Sequence, residues 1–128
     1  MTLVDTDVLI AHLRGIPAAR DWLVHERSRG QLRVSAVSVT EVMGVMRSGE
    51  RSAVRSLMDA LTCVPVSCEV AERAGAYQRT YRRSHSGISL GDYLIAATAD
   101  AGGEGLATLN VRHFPMFPDL VAPFPANG

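Results

Sequence analysis

Apolar and polar positions follow two rhythms along this chain: short β-rich runs, and longer stretches with the three-to-four-residue recurrence of amphipathic helices. Leu3-Val4 is a short apolar run ending in Asp5-Thr6-Asp7, after which Val8, Leu9, Ala11 and His12 lead to Gly15-Ile16-Pro17. That order predicts a strand, a capped helix and a stop. Ala18 to Arg29 sets Trp22 and Leu23 among charges and predicts a half-exposed helix ended by Gly30. Leu32 to Val37 is short and β-rich, a second strand. Ser38-Val39-Thr40-Glu41 has capping-box spacing ahead of Val42, Met43, Val45 and Met46, so a helix is expected to begin there. Arg51 to Leu61, with Val54, Leu57, Met58 and Leu61 at helical intervals, makes a hairpin with it across Ser48-Gly49.

Cys63-Val64-Pro65-Val66 predicts a third strand, at a sheet edge because Pro65 cannot donate to a ladder. Cys68 to Arg83 is helical by period, with Val70, Ala74, Tyr77 and Tyr81 on one stripe, and the Ser84-His85-Ser86-Gly87 loop breaks it. Ser89-Leu90-Gly91-Asp92 repeats the capping logic before a helix over Tyr93 to Ala101. Gly102-Gly103 stops that helix, and Leu106 to Leu109 is a fourth strand. Pro123, Pro125, Asn127 and Gly128 mark a non-helical tail. Strands alternating with helices predict one α/β domain over residues 1–128, with a folded core over about 3–121. Its centre is a short parallel sheet flanked by helices on both faces.

The chain's 128 residues, 47% of them apolar, suit one such domain. Thirteen basic residues against thirteen acidic ones leave no net charge, so no bulk field attracts a polyanion. All thirteen bases are Arg, which excludes chemistry built on a phosphate-holding or Schiff-base lysine, P-loop NTPases included. Cys63 and Cys68 form neither Cys-x-x-Cys nor a zinc pattern and read as buried free thiols. With no basic leader and no apolar run of membrane-spanning length, a cytoplasmic protein is expected.

In a parallel sheet, ligands gather beyond the carboxyl ends of the strands. Asp5 follows the first predicted strand, Glu41 follows the second and Asn110 follows the last, while Asp92 opens the helix before it. Hard oxygen donors of this kind suit a divalent ion such as Mg2+ or Mn2+, which leaves room for a phosphate. Such an ion assists phosphodiester hydrolysis by activating water and offsetting developing charge, with no need for lysine. The same spacing fits plain helix capping for Glu41 and Asp92, and Asp7 suits a cap or a supporting hydrogen bond. His12, His25 and His85 share no ligand spacing, whereas His113 stands three residues from Asn110.

Four blocks resemble those of the PIN domain, specifically VapC-type ribonuclease toxins: Leu3 to Ile10, Val39-Thr40-Glu41-Val42, Gly91 to Ala99 and Thr108 to Phe114. The likeness runs in order over residues 3–121. It implies a Mg2+- or Mn2+-dependent endoribonuclease, silenced by a cognate antitoxin and assembled as a homodimer. Asp5, Glu41 and Asp92 match the family's metal-holding acids. The last block often carries an aspartate in this family, where this chain has Asn110 and then His113. Asn110 would orient a water or phosphate through its amide.

Arg79, Arg82 and Arg83, together with Tyr81 and His85, make a set that could hold RNA phosphates and stack a base, or simply close a helix. His113 is a further candidate substrate contact. Any exposed part of the Met43, Met46, Leu57 and Met58 stripe would seat an amphipathic helix of the antitoxin. Asp5-Thr6-Asp7 also looks like the opening of a haloacid-dehalogenase-type phosphatase, but that family and receiver domains both need a lysine. A catalytically silent PIN-like binding module is the alternative from another class.

Overall fold

The computed structural model describes residues 1–125 of the chain; Asn127 and Gly128 of the expected tail lie outside them. Four strands, β1 (Thr2–Val4), β2 (Leu32–Ser35), β3 (Thr62–Val64) and β4 (Gly105–Ala107), pair in parallel in the order β3-β2-β1-β4. Six helices surround them: α1 (Thr6–Leu13), α2 (Pro17–Arg29), α3 (Ala36–Val45), α4 (Arg51–Asp59), α5 (Cys68–Tyr81) and α6 (Leu90–Ala101). Val111–His113 adds one 3-10 turn.

Alternation along β1 shows why the sheet is covered twice. Val4 packs with Val8, Leu9, Leu23, Val42, Val54 and Leu57 of α1 to α4, whereas its neighbour Leu3 packs with Ile95, Ala96 and Ala99 of α6. Successive strand residues point to opposite faces, and both of these are fully buried. α5 leans on α6 through Val70, Ala74, Tyr93 and Ala97. Phe124 is buried in the α1–α4 layer, so the packed core reaches past residue 121.

The expected elements are present, with shifted ends. β2 stops at Ser35, whose side chain accepts from the Val37 N–H and caps α3, so the helix starts three residues before the expected capping box. Ser38 is buried inside α3, and no Ser38–Glu41 box forms. β3 does lie at an edge, with Pro65 just beyond it. Cys63 and Cys68 are free but exposed, correcting the expectation of burial: one sits on the edge strand, the other in the first turn of α5. At Gly15 a positive φ of 83° ends α1 and lets the chain turn into α2.

Candidate active site

The strand order reverses between β1 and β4: the chain leaves β1 toward β2 on one side and returns to its other side only with β4. The crevice at such a reversal, beyond the carboxyl ends of the strands, is where this architecture presents loops to a ligand. Asp5 follows β1 there and is 5% exposed. Its Oδ1 accepts from the Thr6 N–H at 2.8 Å, and its Oδ2 accepts from the Thr108 hydroxyl at 2.7 Å. Asp7, in the first turn of α1, accepts from the Leu109 N–H at 3.0 Å, which is the supporting hydrogen bond expected of it. The two acids thus clamp the chain just past β4.

Glu41 projects from the middle of α3, freed from capping by Ser35. Its Oε1 accepts from the Thr6 hydroxyl at 2.6 Å, and Thr6 in turn stands 2.8 Å from the buried Ser38 hydroxyl. Its Oε2 lies over Gly91: a Cβ there would come within 3.2 Å of it, so the glycine leaves the space that brings Glu41 beside the α6 N-terminus. Asp92 forms a full capping box with Ser89, its Oδ2 accepting from the Ser89 N–H at 3.1 Å. That oxygen also meets His113 Nδ1 at 2.9 Å, and the same nitrogen lies 3.0 Å from the Asn110 side-chain amide.

Burial first, then the charge of Asp7, pushes the Asp5 carboxyl up to about 7, with Asp92 adding to the rise against the opposing hydrogen bonds from Thr108 and Thr6. Asp7 is raised as well, mainly by burial, with Asp92 contributing. One of its oxygens, Oδ1, is buried without a hydrogen-bond partner. Crowded, dehydrated carboxylates with an unpartnered oxygen are costly on their own, and a bound cation would offset that cost. Among the described residues, no group of three or more Asp, Glu, His or Cys side chains is placed closely enough to hold a metal ion by itself. By chemistry, carboxylate donors suit a hard ion such as Mg2+, which takes one or two protein carboxylates and fills its other positions with water and substrate oxygens.

The basic cluster lies at the same end of the molecule. Arg79 occupies the last turn of α5 and Arg82 its C-cap; both, with Arg83, are exposed. Tyr81 packs against the buried cluster that contains Tyr93 and Ala97, and this ties the end of α5 to α6, whose first turn holds Asp92. His85 stands edge-on to Tyr81, with ring centroids 5.5 Å apart. The apolar hairpin is only partly covered: Met43 and Val45 are exposed, and Val39, Met46 and Met58 line a groove of about 160 Å³. A larger groove of about 350 Å³ lies between α2 and α4, floored by Leu23, Leu57 and Leu61 and flanked by Arg20 and Arg27. Thr6 and Thr108 are site residues that sequence reasoning gives no role, and Ser38, read there as a helix cap, instead meets Thr6. The available signal is position, since Thr6 stands between two acids and Thr108 two residues before Asn110.

The PIN domain family model matches residues 2–116, a span that contains every one of these acidic and amide positions. The chain belongs to the PIN domain family. Ribonuclease VapC10 of Mycobacterium tuberculosis is 56% identical over 128 residues, covering all of this chain and 96% of that protein. Ribonuclease VapC19 of the same organism is 41% identical over 125 residues, covering 97% of this PIN chain and all of its own. A chain of a toxin-antitoxin complex from Klebsiella pneumoniae superimposes with a TM-score of 0.80 at 26% identity, covering 98% of this chain and 99% of that one. Among the described residues, no helix of this PIN domain is long and apolar enough to cross a membrane.

Proposed function

We propose that this PIN domain is the toxin of a toxin-antitoxin pair, a VapC-type endoribonuclease that hydrolyses RNA phosphodiester bonds with the help of Mg2+ or Mn2+. The observation that carries the reading is the Thr6 bridge, whose N–H donates to Asp5 and whose hydroxyl donates to Glu41, with Glu41 reaching over Gly91 to the N-terminus of α6, where Asp92 sits. Asp5, Glu41 and Asp92 would hold the cation. When bound, it supplies an activated water and offsets charge on the phosphoryl group. Thr108 and Thr6 keep the Asp5 carboxylate in place, and Thr6 does the same for Glu41. Asn110 stands exposed at the mouth, where its amide orients a water or phosphate. Arg79, Arg82 and Arg83 lead the RNA backbone toward the acids.

The antitoxin partner follows from the relatives' character as ribonuclease VapC proteins and from the toxin-antitoxin complex that shares this fold. An amphipathic segment of it would cover apolar surface on the helical layer of α2, α3 and α4. The protein works in the cytoplasm as a homodimer. A silent binding module would bind RNA without cutting it. Incubating purified protein with total RNA, with Mg2+, with Mn2+ or with EDTA, decides between the two readings. Cleavage that requires the cation supports the enzyme, and intact RNA under every condition contradicts it.

A further inference from the structure

We propose that His113 is a positioning residue for Asp92: its ring holds one carboxylate oxygen so that the other faces the acidic crevice and the cation. The inference rests on the metal-dependent reading above. His113 Nδ1 lies 2.9 Å from Asp92 Oδ2 and 3.0 Å from the Asn110 amide group. A ring nitrogen carries at most one hydrogen and a carboxylate only accepts, so Nδ1–H donates to Asp92. The structure sets the Asn110 amide nitrogen against this ring nitrogen, and with Nδ1–H committed to Asp92 the amide is assigned the reverse orientation, its oxygen toward the ring.

Asp92 Oδ2 also accepts from the Ser89 N–H, and among the described residues no hydrogen bond reaches Oδ1. Capping and metal binding, which compete for Asp92 in the sequence, thereby fall on different atoms. Oδ2 closes the cap and Oδ1 remains open. The cap alone comes from Asp92's own helix; His113 adds a second donor from the turn after β4 and fixes the plane of the carboxylate from outside α6. That turn is anchored by the next residue, Phe114, which is buried against Leu3 and Ile95. A rigid apolar anchor thus sets a histidine, and the histidine sets a carboxylate.

The full-length protein, free of RNA, is titrated with Mn2+ and followed by electron paramagnetic resonance. Wild type is compared with His113→Ala, with His113→Phe, which retains ring bulk without a donor, and with His113→Asn, whose amide nitrogen can take the place of Nδ1. Removing a hydrogen bond that orients a metal ligand should weaken Mn2+ binding about 10- to 100-fold in the Ala and Phe variants, with the Asn variant within about threefold of wild type. RNA affinity measured in EDTA should be the same in all four proteins. Wild-type Mn2+ affinity in both donor-less variants overturns the inference. So does a drop in RNA affinity in EDTA with Mn2+ binding intact, which would make His113 a substrate contact. A wild type that binds no Mn2+ and cuts RNA in EDTA overturns the metal-dependent reading itself, an outcome visible before any His113 variant is compared.

Discussion

Thr108 Oγ1 donates to Asp5 Oδ2 at 2.7 Å and lies 3.3 Å from Asp7 Oδ2, joining the end of the last strand to two acids at the start of the chain. The hydroxyl is fully buried and keeps Asp5 from turning out of the crevice. Thr108→Val keeps the shape and removes the donor, leaving a buried carboxylate short of a partner at a cost of about 1–3 kcal/mol. Chemical denaturation should show that destabilisation and cleavage should fall with it, while Thr108→Ser should restore both. Unchanged stability and rate in the Val variant would mean that Asp5 is held by other groups.

The crowding around Asp5 gives stability a definite pH dependence. Its carboxyl ionises near 3.8 in the unfolded chain and near 7 in the folded one, chiefly through burial and the charge of Asp7. Between those values the folded state binds the extra proton, so the contribution of Asp5 is fully present below about pH 4 and is lost as pH rises through 7. The metal-free wild type should lose thermal stability relative to Asp5→Asn across that window, by roughly 10 °C in midpoint. Above pH 7.5, Mn2+ should raise the midpoint of the wild type and not that of the variant. A difference between the two that is flat from pH 4.5 to 7.5 would contradict the buried, repelling acid pair.

Asp92 separates charge from capping. Asp92→Asn retains an oxygen for the Ser89 N–H, so circular dichroism and melting should be near wild type while cleavage is abolished. Asp92→Ala should abolish cleavage and also remove about 1 kcal/mol of stability, through the cap. Full activity in either variant would remove Asp92 from the site.

Much of this arrangement is legible in the sequence, because the acids follow strands and strand ends are marked by the change from apolar to polar residues. The parallel sheet, its two covered faces and the edge position of β3 all come from such local signals. Glu41 shows where local reading stops. Ser38-x-x-Glu41 satisfies capping spacing, yet Ser35 takes the cap because the buried Ser38 hydroxyl is engaged by Thr6, 32 residues away in sequence. Only tertiary packing decides between two serines three residues apart. The exposed cysteines are a similar case, since their surroundings depend on which strand becomes the edge. The partition of Asp92 between His113 and the crevice likewise needs the turn after β4, 21 residues downstream.

Expression of the chain alone should arrest bacterial growth, and Glu41→Ala should relieve the arrest. Glu41 is exposed and its truncation removes one hydrogen bond to Thr6, so the variant should accumulate to wild-type levels by immunoblot. Arrest that persists in Asp5→Asn, Glu41→Ala and Asp92→Asn alike would place its cause outside the acidic group.

The Arg82 and Arg83 pair should hold RNA phosphates, an attraction that the neutral chain cannot supply through bulk charge. Binding of RNA to the Asp5→Asn protein over a salt series gives a slope of log affinity against log salt that depends on how many phosphates the protein neutralises, at about 0.7 per phosphate on a single strand. The double substitution to Ala should therefore flatten the slope by up to about 1.4. No change in slope or affinity would make this basic end of α5 a solvated helix terminus.

The most direct test of the metal-held acidic site is single-turnover cleavage of one RNA by wild type and Asp5→Asn, each titrated with Mn2+ from an EDTA-treated start. The wild type should be inert in EDTA and recover with a saturable dependence on Mn2+. Asp5→Asn, folded and still binding RNA, should stay at least about a thousandfold slower at every Mn2+ concentration, on the order of the effect expected when a preorganised charge at the reacting centre is removed. Cleavage by the wild type in EDTA, or by Asp5→Asn at the wild-type rate, would contradict the account.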